Sequence, residues 1–271
     1  MVGVYAAAIV LTLLGNKLPL YASLALAFVV AGIAGAIVGL ATYYLIIRPL
    51  ILRNASTLML MIATFTGDFI LCGILYMISD ILVNYGLTYI IGFVFLNCQF
   101  ALGLSGPLLL STLSVVGLYL LLYIILYRTK FGVSVRAAVE NPALAQTIGV
   151  NLEMVRLFSW ILSGIVSAFA GVIWPLLPSG INLKDPTYGS TQLPLIFAAF
   201  IIGGIESLAG SVIGGYIVGF SQLLLTRLTG STVYGFAFPL IVMAIFLLIC
   251  PRGIGELIDK LVIYRKSLKK A

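Results

Sequence analysis

The chain has 271 residues, of which 62% are apolar and only 8% are charged, and its mean hydropathy is +1.21. A soluble domain carries about a quarter charged residues, so this composition cannot cover a surface that faces water. The few charges separate long uncharged runs, and a run of about 20 apolar residues is enough to cross a bilayer. We therefore predict an all-α integral membrane protein, built as one polytopic helical bundle over residues 1–271.

Composition also excludes several kinds of chemistry. The chain has no His, so it can hold neither a Ser-His or Cys-His catalytic pair nor an imidazole metal site. Its three Cys show no CxxC spacing, which indicates small apolar residues rather than a zinc site or a disulfide. No GxxxxGK[ST] motif occurs, so the chain has no P-loop of its own. We expect no enzyme activity, metal or cofactor in this chain, and any ATP used must be bound by a partner subunit.

Eight segments with few or no charges predict about eight crossings, within a range of seven to nine. The second is expected to end at Arg48 and Pro49, because proline stops a helix, and the third is interrupted by Asp68. In chain order the segments are Met1–Asn16, Tyr21–Ile47, Thr57–Ser79, Leu108–Tyr127, Leu157–Trp174, Gln192–Ile205, Ser211–Thr226 and Phe236–Ile249.

The basic residues predict the orientation, because cytoplasmic loops carry an excess of Lys and Arg. With both termini inside, twelve of the fifteen basic residues are cytoplasmic. A further crossing within 81–106 would move the basic cluster that follows to the outside, so we interpret this stretch as a partly buried external or re-entrant segment. The cytoplasmic side then holds a loop at 128–156 and a basic tail at 252–271. A basic face against anionic lipid explains the pI near 9.4 without nucleic acid.

Small residues spaced four apart predict close packing between helices, because they let backbones approach within lipid. A second pattern, Gly residues on both sides of Glu206, predicts broken or tightly turned helices at the cytoplasmic side. The packing pairs are Gly35 with Gly39, Gly164 with Ala168, Ser167 with Gly171, Gly210 with Gly214, and Gly215 with Gly219; the turn pattern comprises Gly203, Gly204, Glu206, Gly210, Gly214 and Gly215.

The loop at 128–156 contains a short helix with both ends marked. A capping Asn is followed by Pro at the first helical position, and a Gly stands where the helix should end. Such a helix is too short to be stable alone, so it needs a surface to pack against. Its Leu, Ile and Ala side chains offer a small apolar face, which could dock into a groove of a soluble partner or lie on lipid headgroups. The candidate residues are Glu140, Asn141, Pro142, Leu144, Ala145, Ile148 and Gly149.

Two segments, RAAVENPALAQTIGVNLEMVRLFSWILSGIVSAFAGV and IIGGIESLAGSVIGGYIVG, resemble the LivH-like permease subunits of bacterial and archaeal ABC importers for branched-chain amino acids. The resemblance runs from Met1 to about Gly255. It implies an all-helical permease in the prokaryotic cell membrane, working with a second permease (a sister subunit or a second copy), ABC ATPase subunits and an extracytoplasmic solute-binding protein. It also implies that Glu140, Asn141, Pro142, Ala145 and Gly149 form the element that touches the ATPase.

Three features depart from the family pattern. Family members usually begin with a further hydrophobic segment, whereas Met1 falls where the second helix starts. We therefore expect the upstream reading frame to encode a further apolar segment, or this copy to be an unstable remnant. Glu206 stands where the family usually has Gly, and Asp68 stands where a small polar residue is more usual, which leaves the substrate open.

Asp68 is the charged group nearest the middle of a predicted crossing. An ionised carboxylate there costs about 2.5 to 3.5 kcal/mol on insertion scales, so it must face a cavity, pair with a cation or be protonated. A carboxylate on the translocation path could meet the ammonium of an amino acid, with Thr64 and Thr66 adding hydroxyls. The alternative is a neutral, hydrogen-bonded Asp68 that joins two helices.

These observations favour the membrane-spanning subunit of an ATP-driven importer for branched-chain or other apolar amino acids, or similar small solutes, working by alternating access. The alternative is a stand-alone secondary transporter or channel in which Asp68 is the ion or substrate site. An intramembrane enzyme is disfavoured, because Asp68 and Glu206 fall at different depths in the predicted topology.

Overall fold

The computed structural model describes residues 1–14, 19–84, 89–90, 106–174, 181–182, 186–204, 207–230, 232–249 and 253–255. These residues are almost entirely helical. In chain order the elements are α1 (Val2–Leu14), α2 (Leu20–Thr42), a π-helical turn (Tyr43–Ile47), α3 (Arg48–Leu52), α4 (Thr57–Asn84), β1 (Tyr89–Ile90), α5 (Gly106–Arg128), α6 (Lys130–Glu140), α7 (Pro142–Thr147), α8 (Leu152–Ile173), β2 (Ile181–Asn182), α9 (Tyr188–Thr191), α10 (Leu193–Gly203), α11 (Leu208–Thr229) and α12 (Thr232–Ile249).

Five helical segments among the described residues are long and apolar enough to cross a membrane, and three shorter apolar helices accompany them. The eight segments overlap the eight predicted crossings. The chain is therefore a multi-pass helical membrane protein, as its composition predicts. The long segments are Ala22–Leu52, Thr57–Leu82, Ser111–Arg128, Leu152–Ile173 and Leu208–Thr229, and the short ones are Val2–Leu11, Tyr188–Gly203 and Pro239–Leu248.

The second crossing does not end at Pro49 as predicted. Helical structure continues to Leu52, with the π turn Tyr43–Ile47 immediately before the proline segment. Proline has no N–H to donate, and in a regular α-helix its ring clashes with the carbonyl four residues earlier. The wider π turn changes the position of that carbonyl, so the chain stays helical through the proline.

Helix α8 begins before Leu157, the residue at which the fifth crossing was predicted to start. The Asn151 side chain accepts hydrogen bonds from the backbone N–H groups of Glu153, at 3.0 Å, and Met154, at 3.2 Å, which fixes the start of α8 at Leu152. Together with α6 and α7, this start makes the predicted cytoplasmic loop at 128–156 mostly helical.

Contacts between residues divide the chain into two compact units, Met1–Thr187 and Tyr188–Ala271. In the first unit, α1, α2 and α8 pack around a core of small and aliphatic side chains. In the second unit, α10, α11 and α12 share a core that includes Leu195, Ile202 and Val218. A single permease domain over the whole chain stays a prediction.

Helices α2 and α8 touch through their backbones. A Cβ atom built on Gly35 would collide with the carbonyl oxygen of Gly164, and one built on Gly39 would collide with that of Trp160. Because residue numbers rise along α2 as they fall along α8, the two helices are antiparallel. The predicted small-residue packing is confirmed for this pair.

Glycines also close the second unit. Gly203 and Gly210 meet backbone to backbone, and Gly214 lies against the carbonyl of Ala199. Gly215 and Gly219 behave differently, because a Cβ built on either would meet nothing within 4 Å in the described part of the chain. The predicted packing of this last pair is therefore wrong within this subunit, since both glycines lie on an exposed face of α11.

Two contacts show which ends of the helices lie together in the first unit. Tyr89 of β1 pairs with Asn182 of β2, so the segments that follow α4 and α8 meet at one end. Arg48 pairs with Glu153 at the other end, where α3 follows α2 and where α8 begins. This arrangement agrees with the predicted order of crossings. Most of 81–106 lies outside the described residues, and the cytoplasmic assignment of either end stays a prediction.

The surroundings of two glycines predict different effects on stability when each glycine is replaced by alanine. Gly35→Ala should lower the free energy of unfolding by about 1 to 3 kcal/mol, because the added methyl has backbone in its place. Gly117→Ala on α5, where nothing lies within 4 Å in the described chain, should be neutral or stabilising by up to ~1 kcal/mol, since Ala is the better helix former. Unfolding of the purified protein in detergent measures the change in stability of each variant. Equal losses of stability in the two variants would contradict the α2–α8 contact.

Candidate functional site

The short helix α7 has the two ends that the sequence predicts. The Asn141 side chain accepts a hydrogen bond from the backbone N–H of Leu144 at 3.1 Å. At the other end Gly149 has φ +86, and the N–H of Val150 donates to the carbonyl of Ala145 at 3.0 Å. This is a Schellman-type end, in which glycine takes the left-handed conformation. Six residues, Pro142–Thr147, are therefore held as helix by local chemistry at both ends.

The two sides of α7 face different surroundings. The side chains of Leu144 and Ile148 are one turn apart and are 61% and 69% exposed, whereas Ala145 is only 1% exposed. The prediction that the alanines share the docking face is wrong for Ala145, because α7 folds back onto α6 and α8 and buries that methyl group. The exposed apolar face consists of the two larger side chains.

Helix α6 was not predicted from the sequence. Thr129 caps it, accepting a hydrogen bond from the N–H of Gly132 at 3.1 Å. The rings of Phe131 and Phe158 meet edge to face at 4.6 Å, which holds α6 against α8. A threonine before a segment with apolar residues on one face is a signal for such a helix. The last turn of α6 exposes Val139. This aliphatic side chain is close in sequence to Leu144 and Ile148, the exposed apolar pair of α7.

The beginning of α8 is tied to the end of the second crossing. The guanidinium of Arg48 lies 2.7 Å from a carboxylate oxygen of Glu153 and 5.4 Å from the centre of the Tyr44 ring. About half of each paired side chain is exposed, so the pair contributes at most about 1 kcal/mol to stability. Its main effect is on geometry, because it joins the first turn of α8 to the start of α3.

The predicted path residues on α4 do not share one face. Thr64 and Asp68 are one turn apart, whereas Thr66 lies on the other side of the helix. The Thr64 hydroxyl donates to the carbonyl of Met61 at 2.8 Å, and the Thr66 hydroxyl donates to that of Ile62 at 3.0 Å. Both hydroxyl protons are thus used within α4, and only their lone pairs remain to meet a solute. Asp68 is partly buried, and its role on the path stays a prediction.

The predicted glycine turn is present in the second unit. Helix α10 ends at Gly203, Gly204 has φ +98, and α11 begins after Ser207, whose hydroxyl oxygen accepts from the N–H of Gly210 at 3.0 Å. Glu206, predicted within this turn, lies outside the described residues.

Residues that follow α12 return to this turn, which the sequence reasoning missed. A Cβ built on Gly253 would lie 2.5 Å from Cα of Gly204, and one built on Gly255 would lie 3.0 Å from the hydroxyl oxygen of Ser207. The sequence signal for this contact was the pair of glycines on either side of Ile254.

Comparisons with known proteins agree with these features. A family model described as the permease component of a branched-chain amino acid transport system matches residues 1–248. The probable branched-chain amino acid transport permease LivH of Methanocaldococcus jannaschii is 45% identical over 261 residues, which cover 94% of this chain and 79% of that protein. The chain belongs to this permease family.

More distant relatives match a smaller part of the chain. The high-affinity branched-chain amino acid permease LivH of Escherichia coli is 30% identical over half of this chain and 42% of its own length. The nucleoside ABC transporter permease NupC of Lactococcus lactis is 28% identical over half of this chain and 46% of its own length. No solved structure matches the permease. Membership makes it a transport subunit and favours the importer over a stand-alone transporter or channel.

The end of α7 gives a local prediction. Gly149→Val places a β-branched residue at φ +86, a conformation that costs L-residues about 1 to 2 kcal/mol, so amides of α7 should exchange with solvent about five- to thirtyfold faster. Gly149→Asn should change exchange little, because Asn adopts the left-handed region more readily. Hydrogen-exchange mass spectrometry of 142–150 checks both, and equal exchange in the two variants would contradict the strained position.

Proposed function

We propose that the permease is the membrane-spanning subunit of an ABC importer in the prokaryotic cell membrane, and that an ATPase subunit binds it at a coupling surface formed by Val139, Leu144 and Ile148. The observation that carries the proposal is the exposure of these three aliphatic side chains on a capped helical element between two predicted crossings. Exposed apolar patches of this kind mark sites of protein association. A short helix carrying them fits into an apolar groove of a partner.

A protein partner accounts for α7 better than lipid headgroups do. Helices that lie on a membrane carry Lys or Arg along their polar side. The segment from Asn141 to Val150 has no basic residue, and its polar positions are filled by Asn141, Gln146 and Thr147. Lipid alone therefore has little electrostatic attraction for this element.

The contacts of α8 suggest how movement at the coupling surface reaches the membrane. Three residues separate the end of α7 from Asn151, the capping residue of α8, and α8 is in backbone contact with α2. Close-packed helices transmit displacement rather than absorb it. When ATP binding closes the ATPases, a displaced α7 would carry α8 and α2 together, with the Arg48–Glu153 pair keeping their ends in register.

The substrate proposed is a branched-chain or other apolar amino acid, or a similar small solute. Support comes from the family description and from Asp68, a partly buried carboxylate one turn from Thr64 on α4. In the assembled importer Asp68 would line the path, with a second permease, sister or identical, completing it. An extracytoplasmic binding protein would deliver the solute, and ATP would be bound by the ATPase subunits.

Charge on the coupling surface should separate binding of the ATPase from folding of the permease. Leu144→Glu and Ile148→Glu each place a carboxylate on the exposed face, so they should reduce co-purification of the ATPase and solute uptake by at least tenfold. Gln146→Glu is the matched control, because it adds the same charge on the far side of α7, and it should behave like the parent.

Co-purification, uptake into vesicles and the amount of permease in the membrane are measured together. All three variants should insert normally, because the substituted side chains are exposed outside the spanning segments. If Leu144→Glu and Ile148→Glu retained the ATPase and transported as well as Gln146→Glu, the coupling surface would be assigned to the wrong residues.

Asp68 is tested on the substrate side of the same importer. Asp68→Asn removes the charge and keeps the size of the side chain, so it should raise the solute concentration needed for half-maximal uptake about tenfold or more, since charged hydrogen bonds are worth about 1.5 to 3 kcal/mol. Co-purification of the ATPase should not change. Uptake kinetics identical to those of the parent would instead support the neutral, helix-joining Asp68.

A further inference from the structure

An open groove of about 390 Å³ lies between the π-turn segment and α4. One wall is formed by Leu45, Ile46 and Leu50, and the other by Ala63, Gly67 and Ile70. Both walls belong to segments that are apolar and long enough to span a membrane. The groove therefore lies at membrane depth, and seven of its nine lining residues are apolar, with Thr66 and Arg53 as the exceptions.

Small residues keep this groove open rather than bring two backbones together. A Cβ built on Gly67 would lie 2.6 Å from the Cδ1 tip of Ile46, and among the described residues outside its own helix it would meet no backbone atom within 4 Å. At Gly35, by contrast, the atom would collide with a backbone carbonyl. The space beside Gly67 offers few polar partners, because the Thr66 hydroxyl is bonded to its own helix, so water has little to bind there. Hydrocarbon is the filling that matches the walls.

A cation marks the aqueous end of the groove. Arg53 lines it and stands between the spans that end at Leu52 and begin at Thr57, which is the depth of the headgroups. Arg48, one turn earlier, is paired with Glu153, whereas Arg53 has no carboxylate partner within the described part of the chain. A guanidinium binds phosphate oxygens through two parallel hydrogen bonds.

We infer that this groove binds one anionic phospholipid, with an acyl chain between the π turn and α4 and the phosphate on Arg53. A phospholipid satisfies both parts of the site, since its acyl chain matches the apolar walls and its phosphate pairs with Arg53, whereas a neighbouring apolar helix would leave that guanidinium without an anion. A bound lipid would bridge the π turn to α4 at Ile46 and Gly67.

The full-length permease in mild detergent is titrated with phosphatidylglycerol, which is anionic, or phosphatidylcholine, which is zwitterionic, and bound lipid is counted by native mass spectrometry. The parent should retain one phosphatidylglycerol in preference to phosphatidylcholine. Arg53→Gln should lower that preference about fivefold, the effect of one basic residue near an anionic headgroup, and Arg53→Lys should keep most of it. Ala63→Phe fills the groove and should lower retention of both lipids.

Arg128→Gln is the matched control, because Arg128 is an exposed cation at the end of α5 and does not line the groove. It should keep the preference of the parent, and excess inorganic phosphate should not displace the lipid. Circular dichroism and elution volume establish that each variant is folded.

Three results would overturn the inference. If Arg53→Gln kept the parent's preference for phosphatidylglycerol, Arg53 would not be the residue that contacts the phosphate. If Arg128→Gln lost as much of that preference as Arg53→Gln, the effect would be one of diffuse surface charge. An Ala63→Phe variant that kept its lipid but changed its oligomeric state would assign the groove to a protein neighbour.

Discussion

The backbone contact between α2 and α8 is the constraint on which the first unit depends. Burial of apolar side chains gives little net attraction between helices when lipid is as apolar as the protein, so close approach of backbones has to supply the packing. Gly35 and Gly164 allow that approach, and α1 then packs over both helices. The position of the coupling surface follows, because α8 begins directly after α7 and cannot move without α2.

Side-chain caps fix the helix ends where the chain leaves the membrane. Thr129, Asn141, Asn151 and Ser207 each satisfy backbone N–H groups at the start of a helix. Each such cap is worth about 0.5 to 2 kcal/mol, which matters most for a helix as short as α7. A chain with few charges therefore sets the geometry of α7 by neutral hydrogen bonds, and these do not weaken with salt as surface ion pairs do.

Local chemistry was predictable from the sequence, and tertiary environment was not. The crossings, the cap at Asn141 and the glycine end at Gly149 follow from rules that involve a few neighbouring residues. The structure has both ends of α7 and an apolar helix at each predicted crossing, five of them long enough to span a membrane. The burial of Ala145 depends on α7 folding back onto α6 and α8, which no local pattern encodes. The π turn before Pro49 was missed for a similar reason, since the same residues predict a helix stop unless the surroundings hold the helix together.

Helix α4 brings these arguments together, because its faces require different surroundings. The face with Ala63 and Gly67 is apolar and fits hydrocarbon. The face with Thr64 and Asp68 carries a carboxylate, which at the centre of a bilayer would cost several kcal/mol if it met lipid in its charged form. One helix thus cannot be surrounded by lipid alone. The carboxylate side is the one that α1 covers in this subunit, because Leu75 and Leu82 lie on the same side of α4 as Asp68 and share a buried cluster with Val4 and Tyr5 of α1. The packing of α4 in the first unit thus follows its chemistry, with protein against the carboxylate side and the apolar walls of the groove on another side.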